Sequence, residues 1–554
     1  MMQRLLKETA RYILYYMTLI VVVTSVLFIM GIKISCMNVI MPMFMISIYI
    51  ILRKDIAYKE KIIIVTIASV IVTLSVMMSM GIYDFTVDGN AYHKQAVGLL
   101  KDGWNPVYQI SSQYNELVHS SQLANNGPLF WSEVYPKATW YYAAAIYAVT
   151  EKIEAGKSYT ILFIFVVFGY SYDFFYKVFQ KKNKSIILSL IMVANPIVLA
   201  QLGSYYLDGF VALVLSLLAI IMIDEVNAKE YIKDKWTVIC LLVWGCNLKF
   251  SVILFVVTYC LVYIGYRSLK SKQLDWRNMI LLGTTGLFSI FVVGNSPYYT
   301  NLKRYENMLH GLEGVIGMAN NIQGGGIAFF SSIFSKMSGL HINTIEDAKE
   351  SLKLPFTVYR QEFDRYYVAD VRRGGMGIFF SGLFVISIFL ILLRVSKYKK
   401  NKLTDQLTIA LILFGTNIIE MIILPKTSEL RYVPHIYLSI VLAMVILYKM
   451  NLQGIWFKFR MFLNFFLIII IALNALPWVL IGVNRIKAGV RTTTIFENMA
   501  YECVENGKIF EVRYCNDTYN GLDYNLNDFD IRYYYNIDVE IDESFKQNYL
   551  ILYK

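Results

Sequence analysis

Four polar side chains follow an apolar segment that ends at Met80. Within YDFTVDGNAYHKQAVGLLKDGWNPVY these are Asp84, Asp88, Tyr92 and His93. A carboxylate held among aromatic side chains and helix ends can have its pKa raised into the range of a general base. Asp88 is the better candidate, because Gly89 lets a substrate approach closely. A solvated loop position or a helix cap would explain either Asp without chemistry, since a helix is predicted over 90–101.

The composition of the chain places these residues beside a lipid bilayer. The sequence is 57% hydrophobic and only 17% charged over 554 residues, a combination that soluble domains of this size do not show. The formal net charge of +12 comes from Lys and Arg in short connections between apolar segments. This distribution carries information about orientation in a membrane and does not indicate nucleic-acid binding.

Apolar segments of the length that crosses a bilayer, about 17 to 25 helical residues, recur along the chain. They lie near 12–32, 34–52, 62–80, 158–176, 185–201, 205–223, 278–294, 376–394, 405–424, 432–449 and 460–482. Helices are expected, because isolated strands would leave backbone amides unpaired in lipid. Segment 237–266 joins two connections that are both expected in the cytoplasm. It therefore predicts a hairpin of two short helices that bends near Gly245 to Lys249, and an all-α polytopic membrane protein with about 13 transmembrane helices.

The positive-inside rule orients these helices. The basic clusters expected in the cytoplasm, together with the amino terminus, lie at 4–11, 53–61, 177–184, 267–277, 394–402 and 449–460. The long polar connections that are then extracytoplasmic are 83–157, 295–375 and 483–554. The predicted domains are a hairpin over 1–61, a transmembrane domain over 62–482 and a small terminal region over 483–554. A composition rich in Ile, Lys, Asn and Tyr indicates a low-GC bacterium and hence a bacterial cell membrane.

Two smaller features fall on the predicted outer side. The segment ATWYYAAAIYAVT at 138–150 is too short to span a bilayer, which predicts an interfacial helix. The tail after 483 contains alternating pieces such as KIFEVRYC, typical of a small β-containing appendage. Cys503 and Cys515 lie in this tail. The sequence is equally consistent with a disulfide between them and with two free thiols.

The sequence contains few signals of a bound cofactor. All five histidines fall in predicted outer connections, and none has a neighbour at zinc-site spacing, so no structural metal is indicated. The glycine-rich phosphate loops and the serine nucleophile elbow are absent from the sequence. Their absence speaks against a nucleotide-driven pump, a Rossmann-type nucleotide-sugar enzyme and an α/β-hydrolase.

Short motifs between 62 and 450 carry a family resemblance. Besides the acids and the Tyr-His pair after Met80, they are YPKATWYYAAAIYAVTEKIEAGK at 135–157, ANPIVLAQLGSYYLDG at 194–209, CNLKFS at 246–251, DVRRGGMGIFF at 370–380 and ELRYVPH at 429–435. Together they resemble the membrane-embedded GT-C glycosyltransferases, and most closely the bacterial protein-mannosyltransferase-like branch. In that family an acid in the first outer loop acts as base on an acceptor hydroxyl, and a polyprenyl-phosphate sugar enters from lipid. The sugar is transferred in one displacement with inversion.

The resemblance implies roles for residues of this chain. Asp88 takes the position of the base, with Asp84 or Glu133 as a supporting acid. Tyr92, His93 and Asp208 would line the sugar and acceptor pocket, although an acid at a helix start is also explained by capping. A divalent cation, Mg or Mn, between a carboxylate and the donor phosphate stays open.

A leaving phosphate accumulates negative charge, which basic side chains near the outer membrane surface would stabilise. The candidates are Lys137, Lys249, Arg372, Arg373 and Arg431. Arg431 is the strongest, because it begins a predicted span on the outer side, where the positive-inside rule gives no reason for a cation. Snorkelling, helix capping or contact with lipid headgroups would explain the other four.

Other functions compete with this one. An outer-leaflet polysaccharide polymerase or ligase would use 295–375 as an acceptor platform. A transporter or flippase for lipid-linked sugars usually carries polar residues at mid-membrane within broken helices, whereas the charges here lie at the predicted outer rim. A third alternative is a relative of this family that binds lipid-linked glycan without turning it over. The acceptor stays undefined among surface polysaccharide, glycolipid and cell-wall polymer.

Overall fold

The structure is a computed structural model. It describes residues 2–118, 126–228, 231–311, 331–337, 344–363, 369, 372–396, 404–423, 429–450, 453–512 and 521–535. Its helices are α1 (Met2–Ile29), α2 (Met37–Leu52), α3 (Tyr58–Met80), α4 (Lys94–Asp102), α5 (Ser111–Val118), α6 (Asn126–Val134), α7 (Ala138–Thr150), α8 (Tyr159–Phe179), α9 (Lys182–Val193), α10 (Pro196–Gln201), α11 (Asp208–Glu225), α12 (Lys235–Cys246), α13 (Phe250–Ser271), α14 (Trp276–Phe288), α15 (Thr300–Tyr305), α16 (Ile345–Ser351), α17 (Phe380–Ser396), α18 (Asp405–Ile423), α19 (Leu438–Lys449), α20 (Gly454–Glu505) and α21 (Gly521–Asp528). Two short strands, β1 (Phe510–Val512) and β2 (Tyr533–Tyr535), pair in parallel.

Seven helical segments of the described chain are long and apolar enough to cross a membrane. They are Met2–Ile29, Tyr58–Met80, Ile153–Phe179, Phe250–Ser271, Trp276–Val293, Asp405–Ile423 and Gly454–Glu505. Shorter apolar helices are Met37–Leu52, Lys235–Cys246, Phe380–Ser396 and Pro434–Lys449. Helix α3 buries few of its apolar side chains, while Val70, Leu74 and Met77 are at least half exposed. Such a surface is stable in lipid, so the chain is an α-helical membrane protein.

Helix α11 lies at the centre of the bundle. Every residue from Asp208 to Met222 is buried, as expected of a helix that is apolar on all sides. It packs against α8, α10, α12, α13 and α18. Helix α1 is also internal, because it contacts α2, α3, α7, α8 and α12. The predicted hairpin over 1–61 therefore exists as two helices, but its first helix is part of the main bundle.

The basic connections meet at one end of the bundle. Lys7 lies 3.0 Å from Asp173, and Arg11 lies 2.7 Å from Asp234. At the same end, the side chain of Lys270 lies 2.6 Å from Asp405. These pairs join the start of α1 to the end of α8 and to the start of α12, and the end of α13 to the start of α18. The sequence clusters predicted to share one side of the membrane therefore share one end of the fold, called here the basic end.

Several local predictions are confirmed and others are changed. The hairpin turn lies between Cys246 and Phe250 as predicted, but α13 has 22 residues and is long enough to span alone. The predicted helix at 138–150 is present as α7. It is not a surface helix, because its residues from Ala138 to Tyr147 are all buried.

The terminal region differs most from the prediction. Helix α20 continues for 52 residues to Glu505, so the predicted boundary at 482 falls inside a helix. The predicted β-structure is confirmed by β1 and β2, whose register pairs Phe510 with Tyr533. A small second core joins this region to the start of the first long connection through Tyr83, Phe496 and Leu526. Cys515 lies outside the described residues, so the choice between a disulfide with Cys503 and two free thiols stays as the sequence left it.

Candidate functional site

Asp84 is a structural carboxylate. Its side chain is buried and accepts hydrogen bonds from Thr86 N at 2.9 Å, Thr86 Oγ1 at 3.0 Å and Tyr205 N at 2.8 Å. These bonds tie the segment after α3 to the connection between α10 and α11. A Cβ at Gly89 would overlap both Asp84 and Thr86, so the glycine is required for packing here. Its predicted purpose, close approach of a substrate, is not needed to explain it.

Asp88 is the more accessible of the two acids. It is partly exposed, and its Oδ2 accepts a hydrogen bond from Tyr92 Oη at 3.2 Å. Its side chain forms no capping hydrogen bond at the start of the helical turn 89–93, so the capping explanation does not hold. The Tyr92 ring packs against His93, Tyr135 and Trp140. Burial raises the pKa of Tyr92, with a further contribution from Asp88, so Tyr92 stays protonated and orients the carboxylate.

His93 is held as a neutral imidazole. Its Nδ1 accepts a hydrogen bond from Trp140 Nε1 at 2.7 Å. Burial lowers its pKa to about 3, and Lys249 adds to this effect while Asp208 opposes it. The ring also stacks on Tyr205. A neutral ring whose Nδ1 accepts leaves Nε2–H as the donor, which suits a pocket that binds hydroxyl groups.

Asp208 and Lys249 form an ion pair through Asp208 Oδ1 and Lys249 Nζ. Gln201 Nε2 donates to the other carboxylate oxygen at 3.0 Å, and Gln201 Oε1 accepts from Gly209 N at 2.8 Å. The Lys249 ammonium lies 5.8 Å from the centre of the Tyr432 ring. The alternative explanation of helix capping is not needed for Lys249, whereas Asp208 also lies in the first turn of α11, where the helix dipole favours an acid.

Arg431 joins this cluster from the segment before α19. Its Nε donates to Glu429 Oε2 at 2.8 Å, and its Nη2 donates to Tyr432 Oη at 2.9 Å. The guanidinium is nearly buried and interacts electrostatically with Asp208. Arg431 and Lys249 together face two carboxylates, those of Asp208 and Glu429, so the guanidinium is held in a fixed orientation by charge-assisted hydrogen bonds.

Tyr135 lies near the residues of this cluster, because its ring centre is 6.1 Å from that of Tyr92, which binds Asp88. Burial raises its pKa, with further contributions from Tyr432, Asp88 and Asp208, while Arg431 opposes them. The side chain therefore lies within electrostatic range of the predicted base and of the predicted phosphate ligand. Sequence analysis did not select Tyr135, although it begins one of the resembling motifs.

Two predicted site residues have structural partners instead. Glu133 forms an ion pair with Arg304 and accepts a hydrogen bond from Ser111 N at 2.8 Å. Lys137 is buried and donates to the carbonyl oxygens of Glu133 and Tyr135, both at 2.8 Å. Burial holds the pKa of Lys137 well below its usual range. Lys137 stabilises the turn between α6 and α7, whereas Glu133 joins α6 to α5 and α15. Neither side chain extends the cluster.

Arg372 and Arg373 follow Ala369, which contacts the cluster. Both are partly exposed, and Arg373 Nη2 lies 3.7 Å from Asp347 Oδ1. The nearby Ala369 carbonyl oxygen accepts from Gln201 Nε2 at 3.4 Å, and Gln201 also binds Asp208. This segment therefore approaches the site, while Asp370 and Val371 lie outside the described residues.

A second polar network, which is fully buried, lies next to Asp84. Lys94 Nζ lies 2.6 Å from Glu154 Oε1 and donates to Asn525 Oδ1 at 2.9 Å. Lys157 forms an ion pair with the other oxygen of Glu154. Arg485, on α20, donates to the Ala200 carbonyl and interacts with Asp84. Sequence analysis missed Arg485, which shares with Arg431 the property of being a cation beyond the outer end of a predicted span.

Within the described residues, no three His, Cys, Asp or Glu side chains come together as metal ligands. Comparison with known proteins adds no assignment. No protein-family model matches the chain, no curated protein matches it, and no solved structure matches it.

Proposed function

We propose that this protein is an inverting membrane glycosyltransferase. It transfers a sugar from a polyprenyl-phosphate donor to a hydroxyl group of an extracytoplasmic glycan, glycolipid or cell-wall polymer. The observation that carries the proposal is that Asp88 and the cations belong to one cluster of contacts. Asp88 binds Tyr92, whose ring packs on Tyr135, and Arg431 and Lys249 both lie at Tyr432. A carboxylate and a cationic site at one end of a lipid-embedded bundle match what this reaction needs.

In the proposed reaction, Asp88 removes the proton of the acceptor hydroxyl as the acceptor oxygen attacks the anomeric carbon. The bond between that carbon and the phosphate oxygen breaks, and the electron pair leaves with the lipid phosphate. Arg431 and Lys249 stabilise the charge that develops on the phosphate. Tyr92 orients the base, and neutral His93 with its neighbouring aromatic rings contacts the sugar.

The proposal includes the orientation of the protein in the membrane. The site lies at the end of the bundle away from the basic end, because Asp208 begins α11 and Asp224, near the end of α11, pairs with Lys177 of the basic cluster at 2.7 Å. The positive-inside rule then puts the site outside the cytoplasm, in a cell membrane, with a cytoplasmic amino terminus. About 13 crossings would complete this arrangement.

The direct test is transfer of radiolabelled sugar by the purified, reconstituted protein from a panel of short-chain polyprenyl-phosphate sugars. We expect Asp88→Asn to abolish transfer while donor binding persists, because the amide cannot accept the proton. Asp530→Asn is the matched control, since Asp530 is exposed and has a φ of 55° that Asn adopts readily.

Full transfer by Asp88→Asn would remove the assigned base. Failure of the unaltered protein to release polyprenyl phosphate from every donor of the panel would overturn the reaction itself. Retained donor binding in that case would favour a glycan-binding protein without turnover.

A further inference from the structure

A long cavity lies at the other end of the bundle from Asp88. Its volume is about 260 Å³, and it is lined by residues of α8, α9, α11, α13, α17, α18 and α19. The wall is mostly apolar and includes Phe175, Ala219, Ala410, Leu413, Val441 and Val445. None of these residues belongs to the site proposed above, so the cavity needs an explanation of its own.

The shape of the cavity follows the helix axes. On α18 its lining runs from Gln406 to Asn417, and on α19 it runs from Leu438 to Lys449. Each stretch rises about 16 Å along its helix. The inner end is closed by Asn417, whose Nδ2 donates to Tyr259 Oη at 3.1 Å. A narrow apolar channel of this length fits an alkyl chain better than a compact polar solute.

The mouth of the cavity is cationic. Arg394 and Lys449 line it at the basic end. Nearby, Lys184 lies 4.6 Å from the centre of the Tyr448 ring and interacts electrostatically with Arg460. These side chains concentrate positive charge where the apolar channel meets the membrane surface.

Helix ends alone do not explain these cations. Arg394 and Lys449 lie in the last turns of their helices, where the helix dipole favours positive charge. Lys184 lies in the first turn of α9, where the dipole disfavours it. Among the described residues, Lys184, Lys449 and Arg460 form no ion pair, whereas other cations of the basic end, such as Lys7 and Arg11, do. An anion is therefore the complementary ligand.

We propose that this cavity binds one acyl chain of an anionic phospholipid and that Arg394 and Lys449 bind its phosphate. The lipid fills the space between α18, α19 and the central helix α11. The lipid contacts helices that would otherwise be separated by an empty space. Such a space costs the dispersion contacts of the side chains that line it. The inference is independent of the proposed transferase reaction, because the cavity shares no residue with that site.

The test measures which lipids stay with the purified protein. Protein reconstituted with equal amounts of phosphatidylglycerol and phosphatidylcholine is re-extracted in detergent, and bound lipid is counted by native mass spectrometry. We expect the unaltered protein to retain phosphatidylglycerol preferentially. The double variant Arg394→Gln/Lys449→Gln should retain about tenfold less, as expected when charge-assisted bonds to a phosphate are lost.

Two further variants distinguish binding of an acyl chain in the channel from attraction of lipid to general surface charge. Ala410→Trp fills the channel and should remove the retained lipid while leaving the cations in place. Lys272→Gln, an exposed cation at the basic end outside the cavity, should retain lipid normally. If the double variant does not fold, the single variant Lys449→Gln is measured instead, because Lys449 is exposed and its substitution does not disturb the core.

Equal retention of the two lipids, or undiminished retention in Ala410→Trp, would overturn the proposal. Preferential retention of added polyprenyl phosphate over phosphatidylglycerol would also overturn it, because the channel would then hold the carrier lipid and not a phospholipid.

Discussion

Lys249 Nζ and Asp208 Oδ1 form an ion pair between the turn that follows α12 and the first turn of α11. Asp208 is buried, whereas about a quarter of the Lys249 side chain is exposed, 26%. The carboxylate is thereby committed to a cation and to Gln201. In the proposed reaction Asp208 is therefore not the base, and the partly exposed Asp88 is.

Removing one partner of this pair should destabilise the protein. Asp208→Asn leaves the Lys249 ammonium facing Arg431 without its carboxylate, and we expect a loss of about 3 kcal/mol, the lower end for a buried pair. The measurement is thermal unfolding in detergent. Glu502→Gln is the control, because the Glu502–Lys508 pair is about 40% exposed on both sides and should contribute less than about 1 kcal/mol.

The double variant Asp208→Asn/Lys249→Gln gives the decisive comparison. It should be more stable than Asp208→Asn alone, because no buried charge is left unpaired. Equal stability of the single and double variants would mean that the two side chains do not interact.

Gly98 lies where the terminal region packs against α4. A Cβ at this position of α4 would overlap the ring of Tyr524 on α21. We expect Gly98→Ala to displace α21 and to expose it to limited proteolysis. Gly265→Ala is the control, since nothing lies within 4 Å of its Cβ position and Ala favours a helix. Equal protease resistance in both variants would contradict this docking.

The docking of α21 should depend on pH through Asp528. Its oxygens accept hydrogen bonds from Tyr147 Oη at 2.5 Å and from Ile153 N at 2.6 Å. Burial raises the pKa of Asp528 from 3.8 to about 7; the bonds from Tyr147 and Ile153 and the nearby Lys152 lower it, while Glu154 raises it further. Between these values the docked carboxyl holds a proton that the undocked one has lost. Docking should therefore weaken as the pH rises through this window.

Hydrogen exchange of the α21 amides measures this effect. After correction for intrinsic exchange, protection should fall between pH 5 and pH 8 in the unaltered protein. Asp528→Asn should remove the dependence, whereas Asp530→Asn, at an exposed neighbouring position, should keep it. An unchanged pH dependence in Asp528→Asn would assign the titration to another group.

The proposed orientation is tested by labelling in intact cells. In a variant that lacks the exposed Cys36, a cysteine at Tyr108, which is 63% exposed, should react with an impermeant maleimide. A cysteine at Ser271, exposed near the basic end, should react only after the cells are permeabilised. Protection of the first position in intact cells would reverse the orientation and remove the basis for an extracytoplasmic site.

The helical, membrane-embedded character was readable from the sequence, because it depends on the length and hydropathy of local segments. The same holds for the turn between α12 and α13 and for a strand within KIFEVRYC. Each of these features is set by residues that are neighbours in the chain. The length of α20 was not predicted, because its polar second half resembles a loop in composition and is stabilised by packing of residues such as Phe496.

The partners of the charged residues were decided by the tertiary structure alone. Sequence analysis selected Asp88 as the base, with Asp84 or Glu133 as a supporting acid. In the structure Asp84 and Glu133 are bound to distant groups, whereas Asp88 stays accessible. Lys249 meets a carboxylate 41 positions away. Composition tells that a buried charge needs a partner, but the choice among many acids and bases depends on how the helices pack.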